Sequence, residues 1–202
     1  MAIRLKTTWH QTKRIRGGRA NRTRAKTVED RASVVGFNIW KVAQQTIRHM
    51  MEEEEFNFAT DEQVMGVVIE LIAFLLQVVD RMVYGQLAEE DRARLINATA
   101  KHLAETVANN QQDMFGEGDY ITSFIEILNA RAQQYAQCAT DKSGPGHAFC
   151  RTVADHIADI MAKADNKWVL EWVMDIEVPE AVKLVKRLVS SAMGVKPEFQ
   201  QR

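Results

Sequence analysis

The first 26 residues contain no aspartate or glutamate, and the whole 202-residue chain contains only two cysteines and three prolines. Each scarcity excludes something. Two cysteines, Cys138 and Cys150, are too few for a disulfide-built secreted scaffold, and a chain of this length buries roughly 70% of its unfolded surface without such staples. Both are expected to be reduced thiols, and a cytoplasmic location follows from that expectation. The N-terminus lacks an apolar signal-like run, so no secretory signal is expected. With three prolines and ten glycines, little interrupts long helices. No stretch alternates apolar and polar residues long enough to make a strand, and no internal repeat is visible. The chain also has no Gly-x-Ser-x-Gly elbow, no His-Glu-x-x-His pair, no phosphate-binding glycine loop and no Cys-x-x-Cys. Motif-borne nucleophilic, zinc-hydrolase and covalent-haem chemistry are therefore not indicated.

What is present is a charge asymmetry hidden by a net charge of −1. Residues 1–26 hold nine Lys/Arg and no acid, whereas residues 27–202 hold 17 Lys/Arg against 27 Asp/Glu. Gly17-Gly18 breaks any helix in the basic segment, so residues 1–26 read as an extended or disordered arm with apolar anchors at Ile3, Leu5 and Trp9. Residues 27–194 read as one helical domain, and residues 195–202 as a fraying tail.

Within the domain, the apolar period is helical throughout, and the expected fold is an all-α, single-domain bundle of six or seven helices. Thr27-Val-Glu-Asp30 is an N-cap followed by acids, opening a helix to about residue 55 with Val35, Ile39, Val42, Ala43, Ile47, Met50 and Met51 inside. Thr60-Asp-Glu-Gln63 is a capping-box pattern that opens a second helix. That helix is nearly all apolar over about 64–84. Its exceptions Gln63, Glu70 and Gln77 recur every seven residues and share one face. The 16 apolar-rich residues between Gln63 and Asp80, with Glu70 in the middle, are short and polar for a bilayer. The expected reading is a central buried helix, with surplus apolar surface available for a second copy, and no membrane span. Further helices are expected over about 89–110, 119–138, 145–164 with Pro145 at the first position, a short one around Trp168 and Trp172, and a last one from Pro179 to a Gly194 cap.

Few polar features could carry chemistry. In the arm, Arg14, Arg16, Arg19, Arg22, Arg24 and Lys26 fall two or three residues apart. Such a segment can follow a nucleic-acid phosphate backbone through counterion release, or lie on an acidic protein surface. Glu52 to Glu55 offer such a surface within the chain itself. Cys138, His147, Cys150 and His156 are metal-ligand types, with His147 and Cys150 one helical turn apart, but they lack a second close pair. Buried polar candidates are Glu70, Asp80, Arg81, His102 and Glu126, with Arg81 expected to reach a carboxylate such as Glu126. His102 and Glu105 reverse the Glu-x-x-His order of dimetal bundles. Gly144-Pro-Gly146, just ahead of a helix, could receive an anion.

The expected function is a non-enzymatic interaction or assembly module that self-associates, with the arm docking on an acidic protein surface. The alternatives are a nucleic-acid binder using the arm and, third, a metal- or cofactor-dependent helical enzyme. No catalytic residue and no cofactor is assigned.

Overall fold

A computed structural model of the protein describes residues 5, 27–53, 56–161 and 166–199. Of the arm only Leu5 is described; Ile3, Trp9, Arg14, Arg16, Arg19, Arg22, Arg24 and Lys26 lie outside the described residues, as do Glu54 and Glu55. The described chain is an all-α bundle: α1 (Val28–Glu52), α2 (Asp61–Val83), α3 (Glu89–Phe115), α4 (Tyr120–Ala136), α5 (His147–Met161), α6 (Asn166–Trp172) and α7 (Val178–Met193). A π-helical turn, Val173–Glu177, joins α6 and α7 without a break, so seven helices make six rods. No strand forms among the described residues.

Local chemistry sets most starts and stops. Thr27 and Asp30 form a reciprocal capping box, each side chain accepting from the other's backbone N–H at 3.1 Å. Thr60 accepts from the Gln63 N–H at 3.3 Å, but Gln63 reaches back to the Ala59 N–H at 2.8 Å, one residue beyond the usual box. Asp119 caps α4 by accepting from Thr122. Helix α3 runs on past residue 110 because nothing from Gln111 to Phe115 breaks it. It stops only at Gly116, whose φ of 88° suits a glycine. Helix α5 starts two residues after Pro145, which instead bridges back to Thr140 and closes the 141–144 loop.

The π-turn has an identifiable cause. Pro179 has no N–H, and its ring crowds the carbonyl four residues before it. The preceding turn widens, and the Val178 N–H donates to Val173 O in an i to i−5 bond. The extra residue turns Glu177 into the bundle, where it is 3% exposed.

Helix α2 is the axis. It packs against α1, α3, α4, α5 and α7, which is why it can be apolar on nearly every side. From Val64 to Val83 its apolar side chains are all buried by the chain's own helices. By length and composition α2 could cross a membrane; here it forms the core of the bundle. Its apolar surplus is thus absorbed within one chain, and α2 presents no face for a second copy, contrary to the expectation above.

Two other expectations change. Met51 lies outside the core at 37% exposure. The segment after Gly194, expected to fray, packs on the bundle as far as it is described. Gln86 accepts from the Lys196 N–H at 2.8 Å and donates to Lys196 O at 3.1 Å, and Phe199 is buried. A single side chain ties the tail in both hydrogen-bonding directions, which offsets the entropy of ordering it.

Candidate functional site

The polar face of α2 organises the interior. Gln63 donates to Ile160 O on α5 at 3.1 Å. One heptad on, Glu70 meets Arg131 of α4 in a bidentate pair, Nε to Oε2 at 2.7 Å and Nη2 to Oε1 at 2.6 Å. The Glu70 side chain is 5% exposed and that of Arg131 19%. Gln77, the third member, lines a cleft of about 340 Å³ between α2, α3 and α4, together with Glu105 and Lys101.

The other polar candidates make contacts of their own. Arg81 Nη2 donates to Tyr135 O at 3.0 Å, so Arg81 ties α2 to α4 through backbone and does not meet Glu126. Glu126 is exposed. Helix α4 turns its Phe124, Leu128 and Tyr135 stripe inward, and Glu126 falls off that stripe. Asp80 pairs with Arg92 of α3, whose guanidinium also grips Glu89 and covers the Tyr84 ring. His102 is half-buried on α3 and is not gathered with Glu70 and Glu126.

Tyr135 is the least explained member. Its ring stacks on Phe149 at 4.5 Å, but its hydroxyl is buried with no hydrogen-bond partner among the described residues. Burial, reinforced by the Glu70 charge, pushes its pKa far up, so it stays a phenol. Arg131 is held firmly charged by its hydrogen bonds to Glu70, despite partial burial.

The metal-ligand types of the sequence do not converge. His147 is exposed at the start of α5. Cys150 donates weakly to Pro145 O, and Cys138 to Gln134 O. His156 bonds Gln134 Oε1 through Nε2 at 2.8 Å. No group of three His, Cys, Asp or Glu side chains is positioned to hold a metal among the described residues. Burial pushes the Cys150 thiol up to about 11, so it is not a thiolate nucleophile at neutral pH.

A second polar centre was not anticipated. At the π-turn, Glu177 Oε1 accepts from Trp172 Nε1–H at 3.0 Å and lies 2.8 Å from His49 Nδ1 on α1. Beside it, Phe56, Trp168 and Trp172 form an aromatic cluster with centroids 4.9 to 6.3 Å apart. The site locks α1 to the α6–α7 rod and offers no nucleophile.

The two histidines titrate with opposite sign. The hydrogen bond to Glu177 raises the His49 pKa above its ordinary 6.5, so its contribution is complete below pH 6.5 and disappears as pH rises through the folded value. Burial lowers that of His156, so its contribution is complete above pH 6.5 and is lost as pH falls toward its folded value. Urea titrations should therefore show His49→Gln costing stability near pH 6 and much less at pH 9. His156→Gln should gain on the wild type as pH falls below 6.5. A His49→Gln cost that does not shrink at high pH would mean that His49 acts through neutral hydrogen bonding.

Arg131 was legible in principle. Phe124, Leu128, Arg131 and Tyr135 share one helical stripe, and a cation on an apolar stripe signals a buried partner. Glu177 carried no comparable signal, because the π-turn that turns it inward breaks the 3.6-residue period. Compared with protein-family models, with curated proteins and with solved structures, the chain matches none.

Proposed function

We propose that this protein is a non-enzymatic helical interaction module whose basic arm docks on an acidic protein surface, in the first instance its own. The observation that carries the reading is Leu5. Twenty-two residues ahead of the Thr27 cap, it lies half-buried against the hydrophobic core. An extended segment of that length spans up to about 75 Å, while α1 is about 37 Å long. The arm is therefore long enough to cross the bundle and return to it.

Charge favours the same reading. The arm enters the domain at the start of α1, where Glu29 and Asp30 follow Thr27; the first turn of α3 carries Glu89, Glu90 and Asp91, and Asp91 lies 4.0 Å from Arg94. Arg94 links the two helix starts through Glu29 at 3.1 Å. These five carboxylates outnumber Arg31, Arg92 and Arg94, and Glu29 and Asp30 lie closer along the chain to Lys26 than the Glu52–Glu55 run. Acids at helix N-termini are also favoured by the helix dipole, so the patch costs the fold little. The polar interior described above is used for tying helices together, which leaves the surface and the arm as the working parts.

The test compares the full chain with a variant lacking residues 1–26 by amide hydrogen exchange at low and high salt. The arm should slow exchange at the first turns of α1 and α3, and the protection should weaken at high salt. Glu90→Lys/Asp91→Lys should reduce it. Exchange that is identical with and without the arm would overturn the reading. Binding of a DNA or RNA duplex that falls steeply with salt and vanishes without residues 1–26 would instead favour nucleic acid as the arm's partner.

A further inference from the structure

Between α7, the 143–146 loop and the C-terminal segment lies a cleft of about 720 Å³. Ligand sites typically run about 300–1,000 Å³. Its lining divides by chemistry. Val178, Pro179 and Val182 provide an apolar side, and Lys183, Lys186 and Arg187 provide cations from the next turns of α7. No aspartate or glutamate lines it. In a body with 27 acids against 17 bases, three cations without an acid make a local reversal of sign.

The cleft is held open by identifiable contacts. Lys186 Nζ donates to Ser143 O at 3.0 Å and lies 4.9 Å from the Phe199 ring centroid, so it braces the loop and the tail at once. Pro197, on the far wall, belongs to the segment that Gln86 ties down. Lys183 pairs with Glu180, but both are exposed, and a surface pair of this kind is readily exchanged for a ligand. Ser190 Oγ, on the same lining, is buried and has no hydrogen-bond partner among the described residues. The one thiol at the cleft, Cys150, is pushed up to about 11 by burial and adds no negative charge at neutral pH.

We propose that this cleft binds a small amphipathic anion, a carboxylate carried on an apolar body, with the head on Lys183, Lys186 and Arg187 and the body on Val178, Pro179 and Val182. Cations and apolar wall follow one another along the same helix, so a single short molecule can meet both. The proposal does not depend on where the arm docks.

The test is titration of the full chain with octanoate, 1-octanol and inorganic phosphate, followed by amide NMR shifts. Octanoate should shift amides of the 143–146 loop and of residues 178–190. Octanol and phosphate should each bind at least about tenfold more weakly, since each lacks half of the complementarity. Lys183→Glu/Arg187→Glu alters two exposed positions and so leaves the fold intact. It should weaken octanoate by about tenfold or more. Shifts elsewhere in the molecule, equal affinity for octanol or phosphate, or unchanged octanoate affinity in the double variant would each overturn the proposal.

Discussion

Replacing Arg131 by methionine is expected to destabilise the protein by about 3–5 kcal/mol, measured as a shift in the urea midpoint with an unchanged slope. The reason is the partner left behind. Glu70 sits mid-way along α2, and its carboxylate accepts both of its short hydrogen bonds from Arg131. Without the guanidinium, a carboxylate that is 5% exposed faces the helices around α2. The converse variant, Glu70→Leu, should cost less, because the Arg131 side chain is 19% exposed and can turn its charge toward water. The double variant Glu70→Leu/Arg131→Met should recover most of the loss, since buried ion pairs are often matched by well-packed apolar residues. Arg131→Lys should fall between, having one point charge where a two-pronged donor is needed. A loss below about 1 kcal/mol in Arg131→Met would mean that Glu70 finds water, and that the pair only tunes the α2–α4 contact.

The second large effect is expected from Phe74→Ala, about 3–5 kcal/mol by the same measurement. Phe74 is fully buried at the middle of α2. It stands edge-on to Phe149 at 5.6 Å and to Tyr135 at 6.1 Å, while those two rings stack on one another. Truncation removes both edge contacts, each worth about 0.5–1.5 kcal/mol beyond burial, and opens a cavity among three helices that cannot all close on it. Phe74→Leu keeps most of the volume and should cost about 1–1.5 kcal/mol. If Phe74→Ala costs no more than Phe74→Leu, the aromatic trio is loosely packed and the core does not depend on it.

These two variants mark where reading the sequence succeeds and where it stops. Phe74 belongs to an apolar run that announces a central helix, and the structure surrounds that run on nearly every side. Glu70 was visible as an exception on that helix, but its partner was not. Arg81 was expected to reach Glu126 and instead donates to the Tyr135 carbonyl. Helical period says which residues share a stripe on one helix. It does not say how far each helix is rotated against its neighbours, and that rotation is what turns Arg131 of α4 toward Glu70. The Glu177 site shows the same limit. Its pairing with His49 depends on a π-turn that shifts every later residue around the helix axis.

Composition and spacing alone were enough for the helical class, the capped starts at Thr27, Thr60 and Asp119, the Gly194 stop, the buried axis along α2, and the charge contrast between residues 1–26 and 27–202. All of these rest on interactions among residues a few positions apart, or on sums over segments. The pairing of Glu70 with Arg131, the burial of Phe199 and the cationic cleft beside α7 join residues tens of positions apart. Only packing brings such residues together, because core side chains and buried charges are satisfied by whatever neighbour the helix rotations present.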